Sequence, residues 1–307
     1  MFYKIMQFFR RLDWFISKRI LRKSIIRRKL NEFDMYLDLI TPGISKTLAI
    51  YKSREDDMIN VIKEVLKPGM KVIDCGSNIG FYPLLEAKIL KGKGQIHAFE
   101  PDPRNFKILE KNIKLFKNGN FIKPYQKAIS NNNGIEQMFI ASMANLNKLS
   151  SIDNDKFLAR HDVNEIIDVE AITIDTFCEE NGVAPDFIRM DIEGYEVEVF
   201  QGMKNIFNNA KAGFMIMLEL HPHAYSNERS FAKELEYLFE LNFIGKILIS
   251  AGEPVPPKYE ELGYAPDEKI VSDGFLRGIY RNVKTKDIIP LTCMEPKASR
   301  YILLQKK

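Results

Sequence analysis

A short loop near residue 75 carries side chains that suit the binding of a small polar ligand. Residues 72–81 read VIDCGSNIGF, which places Asp74, Gly76, Asn78 and Gly80 at alternating positions after an apolar run. The glycines let the backbone turn tightly and approach a ligand, and the asparagine amide both donates and accepts hydrogen bonds. The loop therefore predicts a binding site at the end of a buried strand.

Two carboxylates indicate what kind of ligand this is. Glu100 ends the next apolar run, twenty residues after Gly80, where a carboxylate accepts hydrogen bonds from the two hydroxyls of a ribose. The loop lacks the G-x-G-x-x-G glycines that expose amide groups to a pyrophosphate, and Asp74 would repel phosphates. The same carboxylate attracts an amino group, so the pattern favours S-adenosylmethionine, which has a ribose and an α-amino group and no phosphate. A nucleotide-dependent oxidoreductase on a related sheet is the alternative.

The elements around the loop follow a βαβ rhythm. Short apolar runs alternate with longer helical patterns from about residue 68, which predicts an α/β fold with a doubly wound, mostly parallel sheet. Residues 131–172 break the rhythm with two extended runs, and we interpret them as a β insertion at the rim of the sheet. The runs KILIS, GFLRGIYR and RYILLQ are candidates to close the sheet with an antiparallel strand. The predicted strands are 71–75, 95–100, 121–125, 186–192 and 213–220, and the predicted helices are 81–90, 105–116, one from about 196, and 231–241.

Three segments resemble, in order and spacing, the FkbM family of S-adenosylmethionine-dependent methyltransferases. They are DCGSNIGFYPL, AFEPDP and DFIRMDIEGYEVEVFQGM, with MLELHP behind them, and the resemblance covers roughly residues 70–225. It implies a class I methyltransferase (Rossmann-like) fold and O-methylation, the transfer of a methyl group to a hydroxyl, commonly on a sugar, glycan or polyketide. By this resemblance the cofactor-binding positions are Asp74, Gly76, Asn78, Gly80 and Glu100. The predicted cofactor set is completed by their neighbours Ser77, Phe81, Pro101 and Asp102.

Polar side chains at the ends of two later strands are candidates for the acceptor side. A hydroxyl attacks a sulfonium methyl group well only when it is aligned and a placed base accepts its proton. The predicted catalytic residues are Asp191, Glu193 and His221, with Glu219 and His223 beside them in the sequence. The structural alternatives are a backbone hydrogen bond for Asp191, a helix cap for Glu193, and pairing with a carboxylate for His221.

A metal interpretation uses the same acceptor-side residues. Asp191, Glu193, Glu219 and His221 offer oxygen and nitrogen ligands that suit Mg²⁺ or a similar ion. Their spacing matches no known metal signature, so no metal ligand is assigned and Mg²⁺ stays an alternative cofactor. His97, inside a strand, and His161, in a charged linker, are expected to be incidental.

The N-terminal segment differs in charge from the rest of the chain. The first 30 residues carry ten basic side chains and one acidic one, a net charge of +9, so the other 277 residues of this +4 chain carry −5. Apolar residues between Ile5 and Ile20 recur at spacings of three and four, which predicts one face of a helix. Either this helix lies on an anionic membrane, or its apolar stripe packs onto the domain as a lid. Trp14 is accordingly a membrane anchor or a core residue. We expect a basic helical segment, residues 1–60, and a methyltransferase domain, residues 61–307.

Composition narrows the setting and the partners. The three scattered cysteines favour a reducing, cytoplasmic setting over a disulfide framework. No run reaches the roughly 18 to 20 apolar residues that cross a bilayer, so the expected membrane contact is peripheral, on the inner face through residues 1–30. The acidic body shows no basic stripe with stacking aromatics, so the expected partner is a small-molecule or glycan acceptor and not nucleic acid. A non-enzymatic membrane-surface binding module is the remaining alternative.

Overall fold

The computed structural model describes residues 2–41, 43–117, 119–141, 148–149, 163–295 and 297–307. His161, which the sequence marks as incidental, lies outside these residues. Each helix in the described part of the chain is too short or too polar to cross a bilayer.

The N-terminal segment begins with the predicted helix and then departs from it. Helix α1 spans Phe2–Phe15 and continues into a π-helical turn, Ile16–Ile20. An antiparallel hairpin follows, formed by β1, Ile25–Lys29, and β2, Asp34–Asp38. This hairpin was not predicted from the sequence, because charged residues occupy five of the ten positions in its strands, IIRRK and DMYLD. Two further helices complete the segment: α2, Gly43–Tyr51, and α3, Asp56–Val65.

The apolar stripe of α1 does not pack onto the domain, so the lid interpretation is wrong. Five stripe side chains are between 43% and 62% exposed: Ile5, Phe8, Phe9, Leu12 and Phe15. Trp14 and Ser17, on the opposite side of the helix, are buried. Trp14 joins the hydrophobic cluster that also contains the hairpin residues Met35 and Leu37, so its role in the structure is that of a core residue.

The rest of the chain alternates strands and helices much as the sequence predicts. The strands are β3, Lys71–Cys75; β4, Gln95–Phe99; β5, Ile122–Tyr125; β6, Ala128–Ile129; β7, Gly134–Ala141; β8, Lys148–Leu149; β9, Val163–Ile172; β10, Phe187–Met190; β11, Met215–Glu219; β12, Phe243–Ser250; β13, Glu268–Ser272; β14, Phe275–Arg281; and β15, Ser299–Lys306. The helices are α4, Phe81–Leu90; α5, Pro103–Leu115; α6, Ile174–Asn181; α7, Glu196–Gln201; α8, Lys204–Asn208; α9, Phe231–Glu240; α10, Pro257–Glu261; and α11, Thr285–Ile289.

Among the described residues the largest sheet has nine strands, in the order β13–β14–β12–β15–β11–β10–β3–β4–β5. The five strands from β11 to β5 pair in parallel, and the others extend the sheet through antiparallel pairs. This order confirms the doubly wound α/β class I methyltransferase fold. All three late runs join the sheet, so its antiparallel part is larger than expected. The β insertion forms a separate sheet in the order β6–β9–β7–β8.

The main sheet separates two hydrophobic cores because successive side chains of a strand point to opposite faces. Val72 and Phe187 belong to the core formed with α4, α5 and the N-terminal elements, whereas Ile73 and Ile188 belong to the core on the other face. Residues from the first 60 positions therefore share a core with the parallel strands, and α3 spans position 60. The division into segments 1–60 and 61–307 stays a prediction.

A buried ion pair ties the antiparallel end of the sheet to α3. Arg277 Nη1 lies 2.6 Å from Asp57 Oδ2, and both side chains are almost fully buried. Removing one partner leaves the other charge buried without its counter-charge, so we expect Arg277→Met to lower the free energy of unfolding by about 3 to 5 kcal/mol. Urea denaturation measures this loss.

Arg281→Met is the matched control for this prediction. Arg281 lies on the same strand and pairs with Glu64 and Glu268, whose side chains are largely exposed. Exposed pairs contribute little, so the control should lose less than about 1 kcal/mol. Equal small losses in both variants would contradict the structural importance of the buried pair.

Candidate active site

A cavity of about 270 Å³ opens at the carboxyl ends of the parallel strands. It lies where the chain order of the sheet reverses, between β3 and β10, which is where ligands bind in open α/β sheets. Nine of the twelve predicted site residues line it: Gly76, Ser77, Asn78, Phe81, Glu100, Pro101, Asp191, Glu193 and His221. The sheet topology thus brings the loop after β3 and the candidate catalytic residues to one place.

The turn after β3 depends on glycine. Gly76 has a φ of +80°, and a Cβ there would lie 2.0 Å from the carbonyl oxygen of Asp191. Gly80, with a φ of +95°, begins α4, and a Cβ there would lie 2.8 Å from Leu109 Cδ1. The close approach at Gly76 is therefore to the end of β10, which sets the distance between the loop and the candidate catalytic residues.

Glu100 is the carboxylate that faces the loop. One of its oxygens accepts the backbone N–H of Asn78 at 2.7 Å, and the other accepts the N–H of Asp102 at 3.0 Å. Burial raises the pKa of Glu100 to about 8, with the nearby Asp102 carboxylate adding to the effect. The side chain lines the cavity with its orientation fixed by two backbone amides, as a ligand for hydroxyl groups requires.

Three predicted cofactor residues lie behind the cavity wall. Asp74 is fully buried, and its carboxylate accepts a hydrogen bond of 2.6 Å from Ser77. Asp102 caps α5 by accepting the backbone N–H of Arg104 at 2.8 Å. Together with Gly80 at the start of α4, they shape the loop without lining the cavity.

A buried arginine, Arg189 on β10, connects these parts. Its guanidinium lies 2.8 Å from Asp191 Oδ2 and 3.6 Å from Asp74 Oδ2, and it donates to the carbonyl of Gly76 at 3.2 Å. The guanidinium also stacks 4.0 Å from the ring centre of Tyr82. Although burial opposes the charge, the two aspartates raise the pKa of Arg189, so it remains a cation.

On the acceptor side, a histidine is held between two glutamates. His221 Nδ1 lies 2.7 Å from Glu196 Oε1, and Nε2 lies 3.6 Å from Glu193 Oε2. Burial lowers the pKa of His221, but Glu196 outweighs burial and the pKa rises to about 10. Burial raises the pKa of Glu193 to about 8, an effect that His221 opposes. The group that titrates nearest to neutral pH in this pair is the Glu193 carboxyl.

Glu193 also has an unusual backbone. Its φ is +53°, in the left-handed region that residues with a Cβ rarely adopt, and Gly194 follows at +96°. A Cβ on Gly194 would lie 2.6 Å from Ala224 Cβ, so the turn is packed tightly against the segment after β11. Such backbone strain is characteristic of functional sites, where the surrounding fold holds a side chain in place.

Two arginines from distant parts of the chain line the same cavity. Arg54 precedes α3 and Arg300 lies on the last strand. Both contact the buried Glu55 carboxylate, and Arg300 also lies 3.0 Å from Glu219. Burial alone would raise the pKa of Glu55, but the two arginines lower it to about 2. Burial raises the pKa of Glu219 to about 7.

Asp191, Glu219 and His221 meet the geometric requirement for a metal site. Their ligand atoms all lie within 4.8 Å of one another. However, Asp191 already pairs with Arg189 and Glu219 with Arg300, so a divalent cation would compete with two bound guanidinium groups. The positive charge on His221 opposes a cation further.

Several residues of the site were not predicted from the sequence. They are Arg54, Glu55, Arg189, Glu196 and Arg300, together with apolar side chains of the β insertion. Arg189 left a detectable signal, since a single cation inside the apolar run DFIRMDI needs a buried counter-charge. No sequence pattern marks Arg54 or Arg300 as a site residue, because only the fold brings them to the cavity.

A family model described as the methyltransferase FkbM domain matches residues 74–244. This range includes both the glycine loop and the Asp191–His221 region, and it covers more than half of the chain. The chain belongs to the FkbM methyltransferase family. The family assignment confirms the predicted resemblance and favours a methyltransferase over a nucleotide-dependent oxidoreductase.

Three known proteins illustrate what this FkbM methyltransferase is similar to. The hexuronic acid methyltransferase AglP of Haloferax volcanii is 26% identical over 168 residues, which is 54% of this chain and 62% of that protein. The methyltransferase FkbM structure from Methylobacillus flagellatus KT superposes with a TM-score of 0.43 and 15% identity, covering 76% of this chain and 52% of that one. The structure of an O-methyltransferase from Bacillus cereus in complex with SAH superposes with a TM-score of 0.40 and 9% identity. The match covers 81% of this chain and 79% of that one. These TM-scores are low, so the fold assignment rests on the strand order of the sheet.

The contact between Gly76 and Asp191 yields a stability prediction. Because a methyl group at Gly76 would overlap a backbone oxygen, we expect Gly76→Ala to lower the free energy of unfolding by about 2 to 5 kcal/mol, measured by urea denaturation. The matched control is Gly213→Ala, since Gly213 has a φ of +93° but open space around its Cβ position. The control should lose about 1 to 2 kcal/mol from backbone strain alone. Equal losses would show that the Asp191 contact is unimportant.

Proposed function

We propose that this FkbM methyltransferase uses S-adenosylmethionine to methylate a hydroxyl of a sugar or glycan acceptor. The observation that carries the proposal is that one cavity is lined both by the glycine loop with Glu100 and by the Glu193–His221 pair. When bound, S-adenosylmethionine supplies an electrophilic methyl group. The residues of the chain bind and orient the two reactants and take up the proton of the acceptor.

The cofactor side consists of the loop, Glu100 and a set of apolar side chains. After accepting two backbone amides, the Glu100 carboxylate keeps lone pairs that accept hydrogen bonds from ribose hydroxyls. Phe81, Ile129 and Met138 line the same cavity and supply apolar surface for the adenine ring. Asp74 acts through Ser77 and Arg189, which hold the loop in shape, and not through direct contact.

The proton of the acceptor hydroxyl passes to Glu193. A general base works best when its pKa lies near the working pH, and the pKa of about 8 at Glu193 meets this condition better than that of about 10 at His221. His221, charged and oriented by Glu196, faces the Glu193 carboxylate and limits the rise of its pKa. Asp191, fixed by Arg189, accepts a hydrogen bond that aligns the acceptor hydroxyl.

The two arginines that line the cavity, Arg54 and Arg300, favour an acceptor sugar that carries an acidic group. The name of the Haloferax volcanii relative specifies hexuronic acid, a sugar with a carboxylate. Arg54 and Arg300 share one strongly acidic partner, Glu55, and the second partner of Arg300, Glu219, has a pKa of about 7. Near neutral pH this cluster therefore keeps positive charge that an acceptor carboxylate would neutralise, and guanidinium groups bind carboxylates with defined geometry.

Isothermal titration with S-adenosylmethionine tests the cofactor assignment. Glu100→Ala removes the oxygens that accept the ribose hydroxyls and leaves two backbone amides without their partners, so we expect cofactor affinity to fall by about 10- to 100-fold. Glu100→Gln, which keeps one acceptor oxygen and one of the two backbone contacts, should lose less. Asp191→Asn is the contrasting variant, with slower turnover and nearly unchanged cofactor affinity.

The same titration tests the alternative cofactors, Mg²⁺ and a nicotinamide dinucleotide. Measurements with EDTA and with added Mg²⁺ should give equal cofactor affinity, because arginines already neutralise the candidate metal ligands. Absence of binding by S-adenosylmethionine and S-adenosylhomocysteine, or tight binding of NADH instead, would contradict the proposed cofactor.

The pH dependence of methyl transfer tests the proton acceptor. Glu193 must be ionised to accept the proton, and because its pKa is raised to about 8, the turnover rate should rise with pH through this region and then level off. We expect Glu193→Gln to lower turnover by about 10²- to 10⁴-fold and to abolish this rise, measured as methyl transfer from labelled cofactor. Glu198→Gln is the control, because Glu198 pairs with Arg229 and does not line the cavity. A Glu193→Gln enzyme with the wild-type profile would exclude Glu193 as the base.

A further inference from the structure

Helix α1 presents its apolar face to solvent, the reverse of an ordinary surface helix. The outward face is formed by Ile5, Phe8, Phe9, Leu12 and Phe15, and exposed Ile20 and Leu21 follow in the next turn. A helix that packs on its own domain buries its apolar stripe, whereas here the buried side carries Trp14 and Ser17. A contiguous exposed apolar surface of this kind marks an interaction site.

The charge around this face specifies the partner. Arg11, Arg19, Arg22 and Lys23 are exposed on α1 and the turn that follows it. The first 30 residues have a net charge of +9 and the rest of the chain has a net charge of −5. An anionic surface therefore attracts this segment and repels the remainder. Each Lys or Arg near an anionic bilayer contributes about 1 kcal/mol to binding. Apolar and basic side chains together match the interfacial layer of an anionic membrane.

We propose that the outward face of α1 docks the protein on anionic membranes, with the helix lying in the plane of the interface. A helix of 14 residues is about 21 Å long, which is too short to cross the bilayer but sufficient to bury one apolar face. The phenylalanines enter the boundary between headgroups and acyl chains, and the basic side chains contact lipid phosphates.

The helix that docks also borders a second cavity. The inward side of α1 contributes Gln7 and Arg10 to a groove of about 830 Å³, which the turn between β13 and β14 borders on another side. Ile44, Arg54 and Arg300 line both this groove and the candidate active site, so the two cavities adjoin.

The groove indicates which acceptors the docked protein serves. Most of its lining residues have polar or charged side chains, including Asn31, Thr47 and Ser53, which suits saccharide hydroxyls better than acyl chains. The acceptor is therefore a saccharide attached to a membrane lipid, with its sugars in the groove and its lipid in the bilayer. This identification of the acceptor rests on the proposed function, whereas the docking of α1 does not.

Vesicle flotation tests the docking surface with the full chain. We expect the protein to float with vesicles of phosphatidylcholine and phosphatidylglycerol, and to bind vesicles of phosphatidylcholine alone at least about tenfold more weakly. Phe8→Glu with Phe9→Glu should lower binding to the anionic vesicles by more than about tenfold, because two aromatic rings that the bilayer would bury are lost. Ile135→Glu with Ile166→Glu is the matched control, because it adds the same two charges at exposed apolar residues on β7 and β9, and it should bind like the wild type. Absence of flotation, or equal flotation of the Phe8→Glu, Phe9→Glu variant, would overturn the proposal.

The single tryptophan of the chain reports the orientation of the helix. Trp14 faces the core, so lipids brominated on their acyl chains should quench its fluorescence weakly in the docked protein. Trp14→Phe with Phe15→Trp moves the indole to the outward face, where quenching should be several-fold stronger because the face lies about 5 to 10 Å deep. Equal quenching at both positions would show that α1 leaves the domain or docks by another face.

Two further measurements distinguish membrane docking from the proposed methyl transfer and from self-association of the chain. Cofactor affinity of the Phe8→Glu, Phe9→Glu variant should equal that of the wild type, so a failure of membrane docking and a failure of the proposed methyl transfer are distinguishable. Sedimentation without lipid should show the same species for both proteins. A wild-type dimer that the double variant abolishes would assign the face to contacts between copies of the chain and overturn the proposal.

Discussion

The candidate active site depends on one buried charge. Arg189 lies on a central strand where burial strongly disfavours a cation, and it persists because Asp74 and Asp191 on neighbouring segments compensate it. A buried guanidinium without these partners would be unstable, so the loop after β3 and the end of β10 must stay close together. Its hydrogen bond to the carbonyl of Gly76 fixes the loop directly. The loop after β3 and the end of β10 are therefore parts of one electrostatic unit.

This constraint explains features that appear separate along the chain. Because the loop lies against the backbone of Asp191, residue 76 must be glycine, and the chain after Asp191 must turn sharply. Glu193 and Gly194 make that turn in left-handed conformations, and the turn aims the Glu193 carboxylate at His221. Burial at the same point raises the pKa of Glu193 into the neutral range. The arrangement that secures the fold thus also produces a group able to exchange a proton near neutral pH.

The residues expected to choose the acceptor lie outside the region that defines the family. The family match covers residues 74–244, whereas Arg54 and Arg300 come from before and after it. They are joined by Glu55, a buried carboxylate contributed by the N-terminal segment. The same segment provides α1, whose inner side borders the groove that leads to these arginines. Under the proposed function, cofactor chemistry and acceptor choice are encoded in different parts of the chain, and only the folded protein joins them.

The sequence by itself determined the parallel strands, the loop after β3 and the position of Glu100, because strand alternation and glycine spacing are local properties. It also placed Glu193 and His221 correctly at strand ends. The direction in which α1 presents its apolar stripe was decided only by the tertiary structure, since periodicity defines a face but not what covers it. The same holds for the pairing of Arg54 with Arg300: residues that meet across the fold leave no mark in the spacing of either one. Charge states at Glu193 and His221 likewise follow from burial and neighbours, which exist only after folding.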